Sequence, residues 1–183
     1  MFIYQINKEL HLKLLDVTDI DRLFRLVNSN RRHLRKWLPW VDVTEKPEDT
    51  KRFIESTMQK FADNKGFETG IYYKGELAGV IGVHELDHQN KKTSIGYWLG
   101  ENFQGKGIVT KAATTYLHYL FETRGFNRVE IRCAKRNKKS QAIPERLGFT
   151  KEGTIRQCEW VNDRYVDHVV YSLLKEEYKL MQS

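Results

Sequence analysis

Three strings in this 183-residue chain hold residue types that do chemistry. The first, His84-Glu85-Leu86-Asp87-His88, spells H-E-x-x-H, in which a helix brings two histidines to one face to bind zinc. Its flanks argue against a helix: Ala78 to Val83 is glycine-interrupted and β-branched, and Gln89 to Lys92 are turn formers. Histidines four apart on a strand stand about 13 Å from each other, so no shared metal is expected. The second string, Asn102 to Thr110 (N-F-Q-G-K-G-I-V-T), separates a strand pattern from a helix pattern. Gly105 and Gly107 let the backbone approach an anion, and the first helical turn offers free N–H groups at the positive end of its dipole. That is the chemistry of a pyrophosphate cradle, although such a turn on its own reads equally as a plain helix start. It is neither Walker A, which needs Gly-Lys-Ser or Gly-Lys-Thr, nor G-x-G-x-x-G, because Thr110 takes the third glycine's place. The third string is Asn137-Lys138-Lys139-Ser140, then Pro144, then Arg146-Leu147-Gly148-Phe149. Cys133 and Cys158, without a C-x-x-C, exclude a disulfide framework or zinc ribbon and read as small hydrophobes.

The elements that must position these strings follow from periodicity. Leu10, Leu12 and Leu14 alternate as a strand, and Ile20, Leu23, Phe24 and Val27, behind the caps Thr18 and Asp19, stripe a helix. A basic stretch, Asn30 to Lys36, leads to Trp37-Leu38-Pro39-Trp40, a rigid apolar loop that either packs on the core or walls a groove. Pro47 to Asp63 opens with a proline and acids and reads as a long amphipathic helix. Phe67 to Tyr73, Leu77 to Val83 and Thr93 to Leu99 form an antiparallel meander. A helix over 107–124, a strand over Arg128 to Ala134, a short helix over Ser140 to Leu147, and strands over Phe149 to Cys158 and Tyr165 to Leu174 complete the order. The expectation is one mixed α/β domain over residues 1–183, with a mostly antiparallel seven-stranded sheet flanked by helices.

Lys and Arg number 31 against 24 Asp and Glu, a net +7 that points to an anionic partner. Between Asn102 and Arg146 stand ten basic and three acidic residues, and the rest of the chain is balanced. This favours a compact phosphorylated ligand over a nucleic acid. No apolar run approaches the roughly 18 residues of a membrane span, and the N-terminus lacks a signal-peptide pattern, so a cytoplasmic protein is expected.

The meander, the Q-G-K-G-I-V-T loop and the N-x-x-S…R-L-G-F block about 30 residues on together resemble the GNAT acyltransferase superfamily, and within it the RimJ/RimL group of protein N-terminal acetyltransferases. The resemblance implies acetyl-CoA as cosubstrate, held by the loop over 102–107, where Gly105 and Gly107 match and Asn102 replaces the usual Gln or Arg. Gln104, Lys106 and Thr110 would add donors to the phosphates, with Ile108 and Val109 in the same first turn. It implies that Ile95 to Leu99 splays from Arg128 to Ala134, that the pantetheine arm pairs with that edge, and that the thioester lies near Tyr97, Trp98 and Leu99. Asn137 matches an arm-binding Asn. The Tyr that often protonates the leaving thiolate is replaced by Pro144, which cannot donate to the carbonyl of residue 140 and should distort the short helix there. By analogy with RimL-like enzymes Ser140 is the general acid and Glu159 the general base, with a backbone N–H near Trp98 or Leu99 facing the oxyanion. The implied acceptor is a protein N-terminal amine, for which Trp37, Trp40, Trp160 and Tyr165 would shape a groove; a small amine is the alternative, and a non-catalytic acyl-CoA or nucleic-acid binding module the competing class. The expected partners are CoA and the acceptor, with a homodimer admitted and no membrane.

Overall fold

The computed structural model describes residues 2–182. Its strands are β1 (Ile3–Gln5), β2 (Leu10–Leu14), β3 (Phe67–Tyr73), β4 (Glu76–Asp87), β5 (Lys92–Leu99), β6 (Arg128–Ala134), β7 (Thr150–Val161) and β8 (Arg164–Leu174). They lie in the order β1-β2-β3-β4-β5-β6-β8-β7. The helices are α1 (Ile20–Ser29), α2 (Arg31–Leu34), α3 (Pro47–Ala62), α4 (Ile108–His118), α5 (Lys138–Arg146) and α6 (Lys175–Gln182).

Every strand pair is antiparallel except β5 with β6, which run parallel and stay paired only from Lys92↔Arg128 to Ser94↔Glu130. From there β5 keeps β4 as far as Leu99 while β6 keeps β8 as far as Ala134. A wedge-shaped gap therefore opens between residues 95–99 and 131–134, as the family resemblance implied. Alternation fixes what lies on each side. Ile95, Ile131 and Cys133 turn to the face where α4 buries Ile108, Ala112, Ala113, Tyr116 and Leu117, the main core. Val80, Tyr72 and Trp98 turn to the opposite face, packed by Leu23 of α1 and Ile54 of α3.

Three expectations need correction. The sheet has eight strands, because Ile3–Gln5 adds an exposed edge paired with β2. A terminal helix, α6, packs Tyr178 on Phe121, with ring centroids 4.9 Å apart. The side chain that caps the first helical turn is Asp16, whose carboxylate accepts from the Thr18 N–H ahead of a short 3-10 turn; Asp19 does stand at the N-cap of α1 but makes no side-chain cap bond there. Asp19 is instead fully buried, bonded to Lys13 and to the Tyr72 hydroxyl. No helix among the described residues is long and apolar enough to cross a membrane.

Candidate active site

The glycine loop closes the wide end of the gap. Gly105 (φ 75°) and Gly107 (φ 69°) are both left-handed, and a Cβ at either would meet open space, so backbone conformation and not crowding requires glycine. Gly107 caps α4, whose first N–H groups lack an intrahelical partner, while Ile108 and Val109 are buried and anchor the turn. The result is a fixed cluster of donors at a positive helix terminus. The side chains expected to assist it are engaged elsewhere. Gln104 contacts His33 Nε2 through its amide nitrogen at 2.9 Å and accepts from Lys139 Nζ at 2.9 Å. Thr110 Oγ1 accepts from Arg146 at 3.0 Å. The Lys106 ammonium lies 5.7 Å from both the Tyr73 and Phe103 ring centroids.

The basic surplus local to this stretch also disperses in space. Arg128 and Arg132 pair with Glu130, and Arg128 also with Glu152, while Lys135 meets Asp167. Nearness in sequence overstated how many of these cations one ligand can meet.

Across the gap, α5 presents the third string. Asn137 caps it by accepting from the Ser140 N–H at 3.2 Å, so its carbonyl oxygen is spent locally and its amide nitrogen is left for another partner. Ser140 Oγ donates to Cys133 Sγ at 3.2 Å. Burial pushes the Cys133 thiol up, which keeps it protonated and makes it a poor nucleophile. Pro144 lies inside α5 without breaking it. The carbonyl of Ser140, which Pro144 cannot serve, accepts instead from the Tyr97 hydroxyl at 2.9 Å. Burial holds the Tyr97 phenol far above its ordinary value, so it stays a donor. Tyr97, Cys133, Ser140 and Asn137 thus form one cluster spanning the gap on the α4 side, and α5 runs on through Pro144 with Tyr97 supplying the donor that the proline lacks.

Glu159 does not join that cluster. It is opposite Val166 on β8, the same face as His168, which pairs with Ala134; Cys133 and Ser140 are on the other side. A bulge between Ile155 and Glu159, with Gln157 at φ 47° and its N–H bonded to Asp167, re-aims the strand so that Glu159 meets His168 Nε2 at 2.9 Å. The same face carries Trp98, tilted on Trp40 with centroids 5.7 Å apart; Trp160 and Tyr165, exposed and next in register to Glu159 and Val166, turn to the opposite face. Asn162 and Arg164 tie the β7–β8 hairpin to the carbonyls of Arg35 and Lys36, bringing Trp37 alongside. The arrangement offers anion-binding backbone and a hydroxyl on one side of the gap, and a carboxylate with an aromatic surround on the other. Groups delivered from opposite faces can meet there.

His84 and His88 of the H-E-x-x-H string go to different partners: His84 faces Glu68, and His88 contacts the Asn64 carbonyl oxygen. Among the described residues no cluster of three or more His, Cys, Asp or Glu could hold a metal ion. Sequence reading missed the Glu68–His84 contact; glycines inside strands, at 82 and 96, were the available signal.

The family model described as "Acetyltransferase (GNAT) domain" matches residues 9–150. The chain is 41% identical over 181 residues to "Putative ribosomal N-acetyltransferase YdaF" of Bacillus subtilis (strain 168), covering 98% of each. It superimposes with TM-score 0.87 and 36% identity on the microcin C7 self immunity acetyltransferase MccE in complex with acetyl-CoA and AMP, covering 92% of this chain and 94% of that one. The ribosomal L7/L12 α-N-protein acetyltransferase RimL in complex with coenzyme A gives TM-score 0.92 at 27% identity, covering 96% and 99%. This chain belongs to the GNAT acetyltransferase family. It is an acetyl-CoA-dependent N-acetyltransferase.

Proposed function

We propose that this enzyme acetylates the N-terminal α-amine of a protein, a ribosomal protein being the first candidate. The observation that carries the reading is the face opposite the α5 cluster, where Glu159 meets His168 on the side that carries Trp98 and Trp40, with the β7–β8 hairpin tied to the carbonyls of Arg35 and Lys36 just past α2. Two of the similar proteins are named as ribosomal acetyltransferases, which supports a protein acceptor.

Acetyl-CoA supplies the acetyl group as a thioester. The backbone N–H groups at Gly105, Lys106 and Gly107, continued by Ile108, Val109 and Thr110 in the first turn of α4, fit its pyrophosphate, with Gln104 and Lys106 able to contribute once released from their present partners. The unpaired edge over residues 95–99 fits the pantetheine amides, with the Asn137 amide nitrogen opposite and Tyr97, Trp98 and Leu99 beside the thioester. Glu159, held by His168, takes the proton released as the amine forms its new bond. The Ser140 hydroxyl, poised over Cys133, gives a proton where the thiolate departs.

Mass spectrometry of ribosomal proteins and small amines incubated with isotopically labelled acetyl-CoA tests this. Label on protein N-termini is expected; label confined to free amines would replace the reading with a small-amine acetyltransferase.

A further inference from the structure

The β7–β8 hairpin holds more chain than its ladder can pair. Ile155 is opposite His168 and Glu159 is opposite Val166, so Arg156, Gln157 and Cys158 stand against Asp167 alone. Were the register to run on unbroken from Ile155, Gln157 would be opposite Val166 and Glu159 would be opposite Arg164, about 7 Å from its present place. The bulge therefore decides which side chain meets His168. β7 ends the strand order, so only β8 can hold the bulge from within the sheet. It does so chiefly through Asp167, whose Oδ1 accepts from the Gln157 N–H at 3.0 Å. Gln157 is the bulge residue with a left-handed φ of 47°, a conformation that costs a side chain about 1–2 kcal/mol and needs such a restraint. The Cys158 thiol adds a weaker tie, to the Val166 carbonyl at 3.7 Å. Asp167 is itself fastened just past β6: its Oδ2 lies 3.5 Å from Lys135 Nζ, and its carbonyl accepts from the Lys135 N–H at 2.8 Å. The Gln157 N–H, helped by Lys135 and Arg156, holds the Asp167 carboxyl below its ordinary value, so it stays a charged acceptor.

We propose that Asp167 is a positioning residue for the acetyl transfer: its bond to the Gln157 N–H fixes the bulge that puts Glu159 beside His168. This rests on the reading of Glu159 as general base. Asp167 and His168 are neighbours on β8 and turn to opposite faces, so one strand holds the base twice, its main chain through Asp167 and its carboxylate through the His168 Nε2 contact at 2.9 Å. The Asp167 side chain bonds to Gln157 and Lys135 and to no residue of the glycine loop among the described residues. Its loss therefore acts on how the base is aimed and not on the cradle for the cofactor. A catalytic group misplaced by about 1 Å loses on the order of 100-fold in rate, so a single hydrogen bond on the edge strand has leverage on turnover out of proportion to its share in stability.

The test is a double-mutant cycle in kcat, on whichever amine the wild type acetylates, with acetyl-CoA binding and Tm measured for every variant. Asp167→Ala should lower kcat about 10- to 100-fold and leave the Kd for acetyl-CoA unchanged. Asp167→Asn, whose amide oxygen still accepts from the Gln157 N–H, should stay within about fivefold of wild type. In a Glu159→Gln background, Asp167→Ala should cost less than about twofold, because no base remains to be misplaced. A loss of similar size in both backgrounds, as a bond that only steadies the hairpin would give, overturns the proposal. So does an Asp167→Ala enzyme as fast as wild type beside a crippled Glu159→Gln, which leaves the general base standing. A fully active Glu159→Gln removes the base itself, and the role of Asp167 falls with it. If Asp167→Ala does not fold, Asp167→Gln, one carbon too long for the Gln157 N–H, carries the same cycle.

Discussion

The two carboxylate–imidazole pairs occupy mirror positions about the gap, yet they are built from opposite materials. Glu159 and His168 sit on the long β7–β8 hairpin, whose outer strand is exposed along nearly its whole length, and a bulge aims them. Glu68 and His84 sit in the middle of the sheet, pressed onto two glycines, and their geometry is set by register alone. A group that must follow a variable acceptor gains from an adjustable hairpin with solvent at its back. A group whose proton affinity must be tuned gains from burial in a rigid sheet, because desolvation is the strongest local means of raising a carboxyl's pKa. The contrast teaches that one face of one sheet can hold two carboxylate–imidazole pairs at different depths.

Glu159→Gln should have the largest effect. Turnover should fall about 10²- to 10⁴-fold while acetyl-CoA binding, followed by calorimetry, is preserved. Parallel loss of binding would place Glu159 in the cofactor site and dissolve the comparison. The next effect concerns stability against pH. Glu68 is raised from 4.5 to about 8 on folding, so the folded state binds the extra proton between those values and stability declines as pH climbs through that window. The decline is at most about 5 kcal/mol, and Glu68→Gln should abolish it in urea titrations at pH 5 and pH 8.5. A wild type equally stable at both pH values would show that the carboxyl is better solvated than its contacts imply. Gly82→Ala is milder: its methyl displaces the end of a flexible side chain and should cost about 1–2 kcal/mol in the same urea titrations. Smallest is Gly107→Ala, which imposes a left-handed alanine costing about 1 kcal/mol and should weaken acetyl-CoA several-fold without altering either pair's pH response.

Much of the architecture is legible in the sequence because strong periodicities meet little competition. The β3–β5 meander and α4 appear where alternation and the i, i+3, i+4 stripe place them. β1 escaped because three exposed residues at a sheet edge carry no burial pattern. Of the site, the glycine loop and the Asn137–Ser140 cap are local in sequence and so readable. The contact of Glu68 with His84, 16 positions apart, depends on register across two strands, and that of Tyr97 with Ser140 on how far the strands diverge. Neither is encoded in spacing. The H-E-x-x-H string misdirected attention for the same reason, since its first histidine has its partner on a different strand.

Pro144 has one more consequence. In an ordinary helix the carbonyl of Ser140 would be claimed by the amide of residue 144; here it serves Tyr97, whose phenol, also 4.0 Å from Cys133 Sγ, reaches from one arm of the gap to the other. The opening between β5 and β6 is therefore spanned by a hydrogen bond to a carbonyl that the helix itself leaves unclaimed. Positions 97 and 144 bear on the same carbonyl: a residue with an N–H at 144 would share it with the phenol, and a phenylalanine at 97 would leave the carbonyl without its donor. Exchanging both together restores a self-sufficient helix but removes the strut, so the pair's coupling energy would measure how stiffly the enzyme holds its cleft apart.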